Sequence, residues 1–396
     1  MDDKEDTYFT KVKSQIKRSK IKEFRNKLIE KRKLLYIFTA FAILLLICII
    51  IILFLENHKL SNQLRNKKMN FLNNNEGPKI TKRLFNYKED KIEDNINKTQ
   101  IHIAYSLDNN LLFPTFVSMV SGLENNNKNE NIIVYHLLLS YDFDTNNNIN
   151  IFESLKSNYE VKINYYIIPQ IFSKIKKWTA GTECIYYKIL IPLMFPDLQR
   201  MIHLDGDTLI RKDVLEMYNY PFNDNYILGF PFYMPYVMDS FGINATHYIT
   251  VGCVLFNIKK ICEDKKDVDL LQLTVKNNTK LRFPEQDAIN YIFYPKVGFL
   301  PLKYGIYMIG NHPTFKTLAH QTRSFINLTE GYNAVDDPSI IHFSCCWPKI
   351  WENGTKNLFR DKDICLRYQK EFYYYANKTK YYSIIYKTLF YPNQKK

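Results

Sequence analysis

The sequence has little of what marks small zinc or redox domains: its 396 residues hold 12 glycines and seven cysteines, with no Cys-x-x-Cys pair. Neither a structural zinc site nor a thioredoxin-like redox motif is therefore supported. Zinc-finger, helix-turn-helix and RNP signatures are also missing, which argues against a nucleic-acid-binding protein. Hydrophobic residues, by contrast, make up 46% of the chain and aromatic residues 15%, ample for a packed interior. We expect a folded protein that has no nucleic acid partner.

The net charge of +14 is not spread evenly along the chain. Residues 1–33 hold 12 lysines and arginines against 6 acidic residues, and so supply +6 of the total. The remainder is mildly basic. A domain that holds an anionic diphosphate would explain that remaining charge as well as a nucleic acid groove would.

Residues 34–55 form an uninterrupted run of 22 residues without a charge, directly after Lys31-Arg32-Lys33. About 20 apolar residues cross a bilayer as a helix, so we predict a transmembrane span. A buried core helix should show a polar stripe, and a cleaved signal peptide has a shorter apolar region and a cleavage site, so both alternatives fit less well.

Lysine and arginine are more frequent before this span than after it, which predicts a cytosolic tail at residues 1–33. The rest of the chain would then lie in a lumen, as in a type II membrane protein of the Golgi or endoplasmic reticulum. Six N-x-S/T sequons give weak support: Asn97, Asn244, Asn277, Asn327, Asn353 and Asn377.

The polar segment 56–98, with a Gly77-Pro78 break, is typical of a stem between the membrane and a globular head. We expect one catalytic domain over residues 99–360. An aromatic and basic extension, 361–396, follows, and its Phe372–Tyr375 cluster is expected to pack against the head.

Three β-rich runs open the head, at residues 101–105, 131–139 and 161–167, and the segment 113–123 between the first two has helical spacing. Alternating strands and helices predict an α/β domain with a parallel sheet. In such sheets ligands bind at the carboxyl ends of the strands.

The most informative stretch is an apolar strand that ends in Asp205-Gly206-Asp207. Two carboxylates separated by one glycine can reach a single point, and hard divalent cations favour such oxygen ligands. Alone, two aspartates in a loop after a strand are more often turn formers or helix caps than metal ligands. The pair is joined here by Asp108 after the first strand, by Glu285-Gln286-Asp287 before a helix, and by a later strand that ends in His342.

In this order the elements resemble glycosyltransferase family 8, which includes glycogenin-like and bacterial lipopolysaccharide galactosyl- and glucosyltransferases. The likeness spans about residues 100–352. It implies a Rossmann-like, nucleotide-sugar-binding domain of GT-A type. It also implies a retaining, metal-dependent transfer of a hexose from a UDP-sugar to a glycan, glycoprotein or glycolipid acceptor, with Mn²⁺ or Mg²⁺ as cofactor.

The resemblance also implies roles for individual residues. Three groups follow: Ser106, Asp108 and Asn110 at the uridine; Asp205, Asp207 and His342 at the metal, with Asp205 also near the ribose; and Glu285, Gln286 and Asp287 at the reacting sugar. Lys188 and Lys349 would neutralise the diphosphate. His203, inside the strand before Asp205, is expected to be structural.

The sequence departs from the family pattern at several positions. Cys345 stands where glycine is expected, and Ile350 where proline is expected. Lys188 replaces an arginine, and Thr250-Val251-Gly252 replaces Asn-Ala-Gly, which leaves the choice of donor sugar open.

Two other functions remain open on the residues alone. One is a non-enzymatic type II membrane binding protein whose acidic turns hold a structural Ca²⁺. The other is a metal-dependent hydrolase, although a two-metal site needs more clustered ligands than eight histidines readily supply.

Overall fold

The computed structural model describes residues 87–90, 98–173, 175, 182–232, 248–276, 281–307, 328–344, 349–353 and 362–390. All of these lie in one compact unit, Pro78–Lys396. The predicted tail (1–33), membrane span (34–55) and most of the stem lie outside the described residues. Within the described ranges no helix combines the length and apolar character that crossing a bilayer requires.

The strands are β1 Tyr87–Lys88, β2 Thr99–Leu107, β3 Asn131–Ser140, β4 Val161–Ile168, β5 Met201–Asp205, β6 Thr208–Ile210, β7 Ile227–Pro231, β8 Ile249–Phe256, β9 Val297–Phe299, β10 Tyr304–Tyr307 and β11 Ile340–His342. The α-helices are α1 Leu112–Glu124, α2 Thr145–Glu153, α3 Ile191–Met194, α4 Leu215–Tyr218, α5 Ile258–Glu263, α6 Lys266–Lys276, α7 Pro284–Phe293, α8 Leu328–Asp336, α9 Lys362–Asn377 and α10 Tyr382–Phe390. Short 3₁₀ helices cover Asn109–Leu111, Ser154–Ser157 and Glu183–Leu190.

The large sheet has the strand order β1-β4-β3-β2-β5-β8-β7-β9. Strands β4, β3, β2 and β5 are parallel, whereas β8 runs antiparallel to both β5 and β7, and β1 runs antiparallel to β4. The expectation of a parallel sheet therefore holds for β4, β3, β2 and β5 but is wrong for β8 and β1, and the sheet as a whole is mixed. Hydrophobic runs indicate that a strand is buried but carry no information on the direction of its neighbour.

The predicted β-rich runs lie within β2, β3 and β4, and the predicted helical segment lies within α1. All ten residues of β3 are buried. A central strand covered on both faces explains the nearly continuous apolar run that the sequence shows there.

A smaller sheet, ordered β10-β11-β6, continues directly from the large one. The chain leaves β5 at Asp205, turns through Gly206 and Asp207, and enters β6 at Thr208. Strand β11 pairs antiparallel with β6, so that His342 lies opposite Thr208. This connection brings the carboxyl end of β11 next to the end of β5.

The folded unit extends beyond both predicted boundaries of the catalytic domain. Tyr87 in β1 pairs with Tyr166 of β4, so part of the segment predicted to be the stem belongs to the sheet. At the other end, Phe372 and Tyr375 of α9 are buried in the same hydrophobic core as α1. The aromatic extension therefore packs against the head, as its composition predicts.

Candidate active site

The Asp205-Gly206-Asp207 turn lies at the junction of the two sheets. The Thr208 hydroxyl donates to the Asp205 carbonyl (2.9 Å), and the Phe343 amide donates to the Asp207 carbonyl (2.8 Å). A Cβ at Gly206 would lie 2.3 Å from Thr115 Oγ1 on α1. A side chain at Gly206 would therefore push the turn away from α1, which explains the glycine between the two carboxylates.

His342, at the end of β11, faces both carboxylates. Its Nε2 lies 3.2 Å from Asp207 Oδ1 and 3.6 Å from Asp205 Oδ2. One ligand atom from each of the three residues lies within 4.8 Å of the other two. The motif set therefore predicts correctly which three side chains come together.

Gly252 of β8 makes room for this imidazole. A Cβ at Gly252 would lie 2.0 Å from His342 Cε1 and 2.5 Å from Nδ1, much closer than real contacts allow. Gly252 belongs to the Thr250-Val251-Gly252 segment that stands where the family has Asn-Ala-Gly, and its contact with His342 is not predictable from that segment. Nothing in the local sequence connects β8 to β11.

Two lysines each neutralise one carboxylate of the turn. Lys188, buried in the 3₁₀ helix Glu183–Leu190, donates to Asp205 Oδ1 (2.8 Å). Lys349 donates to Asp207 Oδ2 (2.8 Å) and to the Phe343 carbonyl (3.1 Å). Lys188 and Lys349, which are predicted to neutralise the diphosphate, thus each contact one of the two aspartates predicted to bind the metal ion.

These cations decide the protonation of the turn. Burial alone would raise the pKa of Asp207, but Lys349 and His342 outweigh it and hold that pKa well below its usual value. At Asp205, Lys188 and then His342 likewise overcome burial and lower the pKa. Both side chains are carboxylates near neutral pH, the form that binds a metal ion.

The Glu285-Gln286-Asp287 segment forms the first turn of α7, beside the start of β8. The Val251 amide donates to Gln286 Oε1 (3.3 Å), and Gln286 Nε2 donates to the Tyr248 hydroxyl (2.8 Å). That hydroxyl donates in turn to Asp287 Oδ1 (2.6 Å). Sequence reasoning did not identify Tyr248, although it joins two of the predicted catalytic residues.

The two carboxylates of this segment have different surroundings. Asp287 Oδ2 accepts from the amides of Arg282 and Phe283 (2.7 and 2.8 Å), so both of its oxygens bind protein donors. Burial raises the pKa of Glu285 to about 7. Neither carboxyl is thus an exposed, freely ionised base.

The residues predicted for the uridine lie at the end of β2. Asp108 Oδ1 accepts from the amides of Asn110 and Leu111 (2.9 and 3.1 Å) and so caps the turn before α1. Ser106 is buried, and its Oγ lies 3.2 Å from His203 Nε2. His203 is itself fully buried, which agrees with a structural role. The uridine contacts stay a prediction.

Among the departures from the family pattern, Ile350 is fully buried, whereas Cys345 lies outside the described residues.

Comparison with known proteins agrees with the geometry. Escherichia coli lipopolysaccharide 1,2-glucosyltransferase is 25% identical over 258 residues, which cover 61% of this chain and 71% of that protein. The galactosyltransferase LgtC, solved with donor and acceptor sugar analogues, superposes with a TM-score of 0.56 at 15% identity, over 68% of this chain and 96% of LgtC.

The apo structure of the bifunctional glycosyltransferase WbbM gives a TM-score of 0.58 at 19% identity, over 75% of this chain but only 52% of WbbM. These likenesses show an α/β glycosyltransferase fold of GT-A type. The sequence profile of glycosyl transferase family 8 matches residues 102–355. Because this match takes in more than half of the chain, from β2 to the segment after Lys349, the protein belongs to glycosyl transferase family 8.

Proposed function

We propose that this protein transfers a hexose from a UDP-sugar to a glycan or glycoconjugate acceptor, with retention of configuration and with a divalent metal ion as cofactor. The observation that carries the proposal is the cluster of Asp205, Asp207 and His342, flanked by Lys188 and Lys349 at the junction of the two sheets.

The donor set fits a divalent ion. Two carboxylates and one imidazole provide hard oxygen ligands and one nitrogen, a combination suited to Mn²⁺ or Mg²⁺, and the family resemblance favours Mn²⁺. When bound, the ion would act as a Lewis acid on the diphosphate while the bond to the sugar breaks.

The charges around the cluster favour a metal together with a diphosphate. The two aspartates are already balanced by two lysines, 2.8 Å away in each pair. A dication that entered alone would leave this group with excess positive charge, whereas a dication with a doubly charged diphosphate leaves it balanced. This argument supports a nucleotide-sugar donor over a purely structural Ca²⁺ site.

The surroundings of the reacting sugar support retention. An inverting enzyme needs a carboxylate that removes the acceptor proton from the face opposite the leaving group. Gln286 is a neutral amide, and both oxygens of Asp287 accept hydrogen bonds from the protein. The acceptor proton would instead go to the departing phosphate, while Lys188 and Lys349 stabilise its charge.

We propose further that the enzyme is a single-pass type II membrane protein of the Golgi or endoplasmic reticulum. Its anchor would be residues 34–55 and its catalytic unit lumenal. The lysine and arginine excess before that span supports this orientation.

The test is a transfer assay with the full-length chain in detergent, Mn²⁺, a panel of UDP-sugars and a mixture of glycan acceptors. We expect one α-linked UDP-sugar to be consumed and an α-linked product to form first, as read by NMR. A β-linked first product would reject retention. Release of free sugar with every acceptor would indicate a hydrolase. Absence of UDP binding would favour the alternative of a non-enzymatic binding protein with a structural Ca²⁺.

A further inference from the structure

The segment 349–353, which begins with the active-site residue Lys349, is held by the C-terminal helices. Gln369 Nε2 of α9 donates to the carbonyls of Ile350 (2.7 Å) and Glu352 (3.1 Å). Tyr373 Oη, one helical turn further along α9, donates to the Trp351 carbonyl (2.6 Å). Three successive backbone carbonyls therefore accept hydrogen bonds from two side chains of one helix.

Apolar contacts support the same attachment. Trp351 is 5% exposed and Ile350 is fully buried. The Trp351 ring lies 5.2 Å from the ring of Phe372 on α9, with 31° between the planes. The Trp351 ring also meets the Phe343 ring edge-on, with 6.5 Å between the ring centroids. The segment is thus packed between α9 and the residue that follows His342.

Helix α9 is itself fixed to the catalytic body. Arg211, just after β6, forms a two-point ion pair with Glu371 (2.7 and 3.3 Å) and donates to the Pro338 carbonyl (2.8 Å). Asn125 Nδ2, after α1, donates to the Tyr375 hydroxyl (2.8 Å). Since both anchors lie on the body, α9 can fix the position of a loop that contacts it.

The position of the Lys349 ammonium group depends on the backbone of the loop 349–353. Its Nζ reaches Asp207 and the Phe343 carbonyl at the end of a flexible four-carbon chain, so its Cα must stay in place for the ammonium group to stay there. The Glu352 amide donates to the Lys349 carbonyl (2.9 Å), which makes 349–352 one turn. Holding the carbonyls of 350–352 therefore holds the start of the lysine side chain.

We propose that Gln369 and Tyr373 are positioning residues for Lys349, so that helix α9, which lies beyond the family match at 102–355, contributes to binding the diphosphate of the donor. This inference rests on the proposed function, because it assigns Lys349 to that diphosphate. The two side chains act through the backbone of 350–352 and have no role in the chemistry itself.

The test uses the full-length protein in detergent with the variants Tyr373→Phe and Gln369→Met, each of which removes donors and keeps most of the side-chain volume. Tyr374→Phe is the matched control, because it removes a tyrosine hydroxyl from the same helix at an exposed position that does not anchor α9 to the body. Amide hydrogen exchange reports on residues 349–353 without nucleotide. Calorimetry with UDP and Mn²⁺ reports on the diphosphate site.

We expect faster exchange at 349–353 in both variants. UDP binding should weaken roughly fivefold in Tyr373→Phe, as is typical for one lost hydrogen bond, and at least as much in Gln369→Met, which loses two. KM for the UDP-sugar should rise with kcat nearly unchanged, and Tyr374→Phe should match the wild type. In a Lys349→Ala background, Tyr373→Phe should cost no further UDP affinity, since the group it positions is gone.

The inference is overturned if exchange and UDP affinity stay at wild-type values, if Tyr374→Phe shows the same loss, or if the loss persists in the Lys349→Ala background. A wild-type protein that binds no UDP would overturn the proposed function itself. The exchange rates, which need no nucleotide, would then still decide whether Gln369 and Tyr373 hold the loop.

Discussion

At the level of single residues, the geometry of His342 depends on the missing side chain of Gly252. Replacement by alanine puts a Cβ 2.0 Å from the present position of His342 Cε1, so the ring must leave its present position between the two carboxylates and β8. We expect Gly252→Ala to weaken Mn²⁺ binding by roughly tenfold or more, in the range seen when support of a ligand is lost. Electron paramagnetic resonance of free Mn²⁺ measures this directly.

Gly229→Ala is the control for general crowding in the same sheet. Its Cβ would meet Ile249 and Val254, away from the metal cluster. Both variants should lose thermal stability, but only Gly252→Ala should lose metal affinity. Equal Mn²⁺ affinity in the two variants would show that Gly252 does not shape the site.

The acidic turn provides a second prediction at this scale, for removal of the metal. EDTA should abolish transfer and Mn²⁺ restore it, and Asp207→Asn should lower activity ~100-fold or more with the fold retained. The asparagine loses the negative charge that both the ion and Lys349 need. His203→Gln, at a buried position beside Ser106, should reduce the melting temperature and still bind Mn²⁺. Full activity of Asp207→Asn would end the metal assignment.

Glu285 gives a pH dependence whose sign follows from its burial. Its pKa is raised from 4.5 to about 7, so the folded state binds this proton more tightly than the unfolded state. Between these two values the folded protein binds more protons, and this contribution to stability falls as pH rises. Glu285→Gln should remove that slope and be more stable than the wild type above pH 7.

Urea unfolding in EDTA from pH 5 to 8 measures this effect. A Glu285→Gln protein that follows the wild-type pH profile would show that the pKa of the half-buried Glu285 carboxyl is not raised.

At the scale of elements, helix α7 and strand β8 are joined by Gln286, Tyr248 and Asp287. We expect Gln286→Ala to lower kcat roughly 100-fold and to leave UDP affinity nearly unchanged. The reason is that the amide would stabilise the positive charge that develops on the sugar ring in the transition state. Tyr248→Phe removes the hydrogen bond from Gln286 Nε2 to the Tyr248 hydroxyl, and it should lower kcat by a smaller factor. Tyr291→Phe, at an exposed position on α7, is the control. Loss of UDP binding in Gln286→Ala would contradict this division of roles.

The sequence predicts some elements much better than others. Strands β2, β3 and β4 are long and apolar, so their sequence predicts them well. The Asp205-Gly206-Asp207 turn is predictable because its pattern is recognisable. The antiparallel direction of β8 and the existence of the two-residue strand β1 depend on pairing with strands that are distant in the chain. The local sequence pattern carries no information on these partners. For the same reason no motif predicts that Tyr248 contacts Gln286, that Gly252 packs against His342 or that Gln369 holds the loop after Lys349.

At the scale of the whole molecule, the prediction concerns orientation in the membrane. If residues 1–33 are cytosolic and the catalytic unit is lumenal, protease added to sealed microsomes should remove an epitope on the tail and spare one on the C-terminus. Detergent should expose both. Digestion of the C-terminal epitope in sealed vesicles would reverse the predicted topology, without any bearing on the chemistry of the site.

The junction of the two sheets has a further consequence. Asp205 ends a strand of the large sheet and His342 ends a strand of the small one, so an ion bound by both is a removable cross-link between them. A ligand that binds only the folded state stabilises it in proportion to the logarithm of its free concentration above the dissociation constant. If the proposed metal dependence holds, the free concentration of the ion would then set the stability of the folded enzyme as well as its rate of transfer.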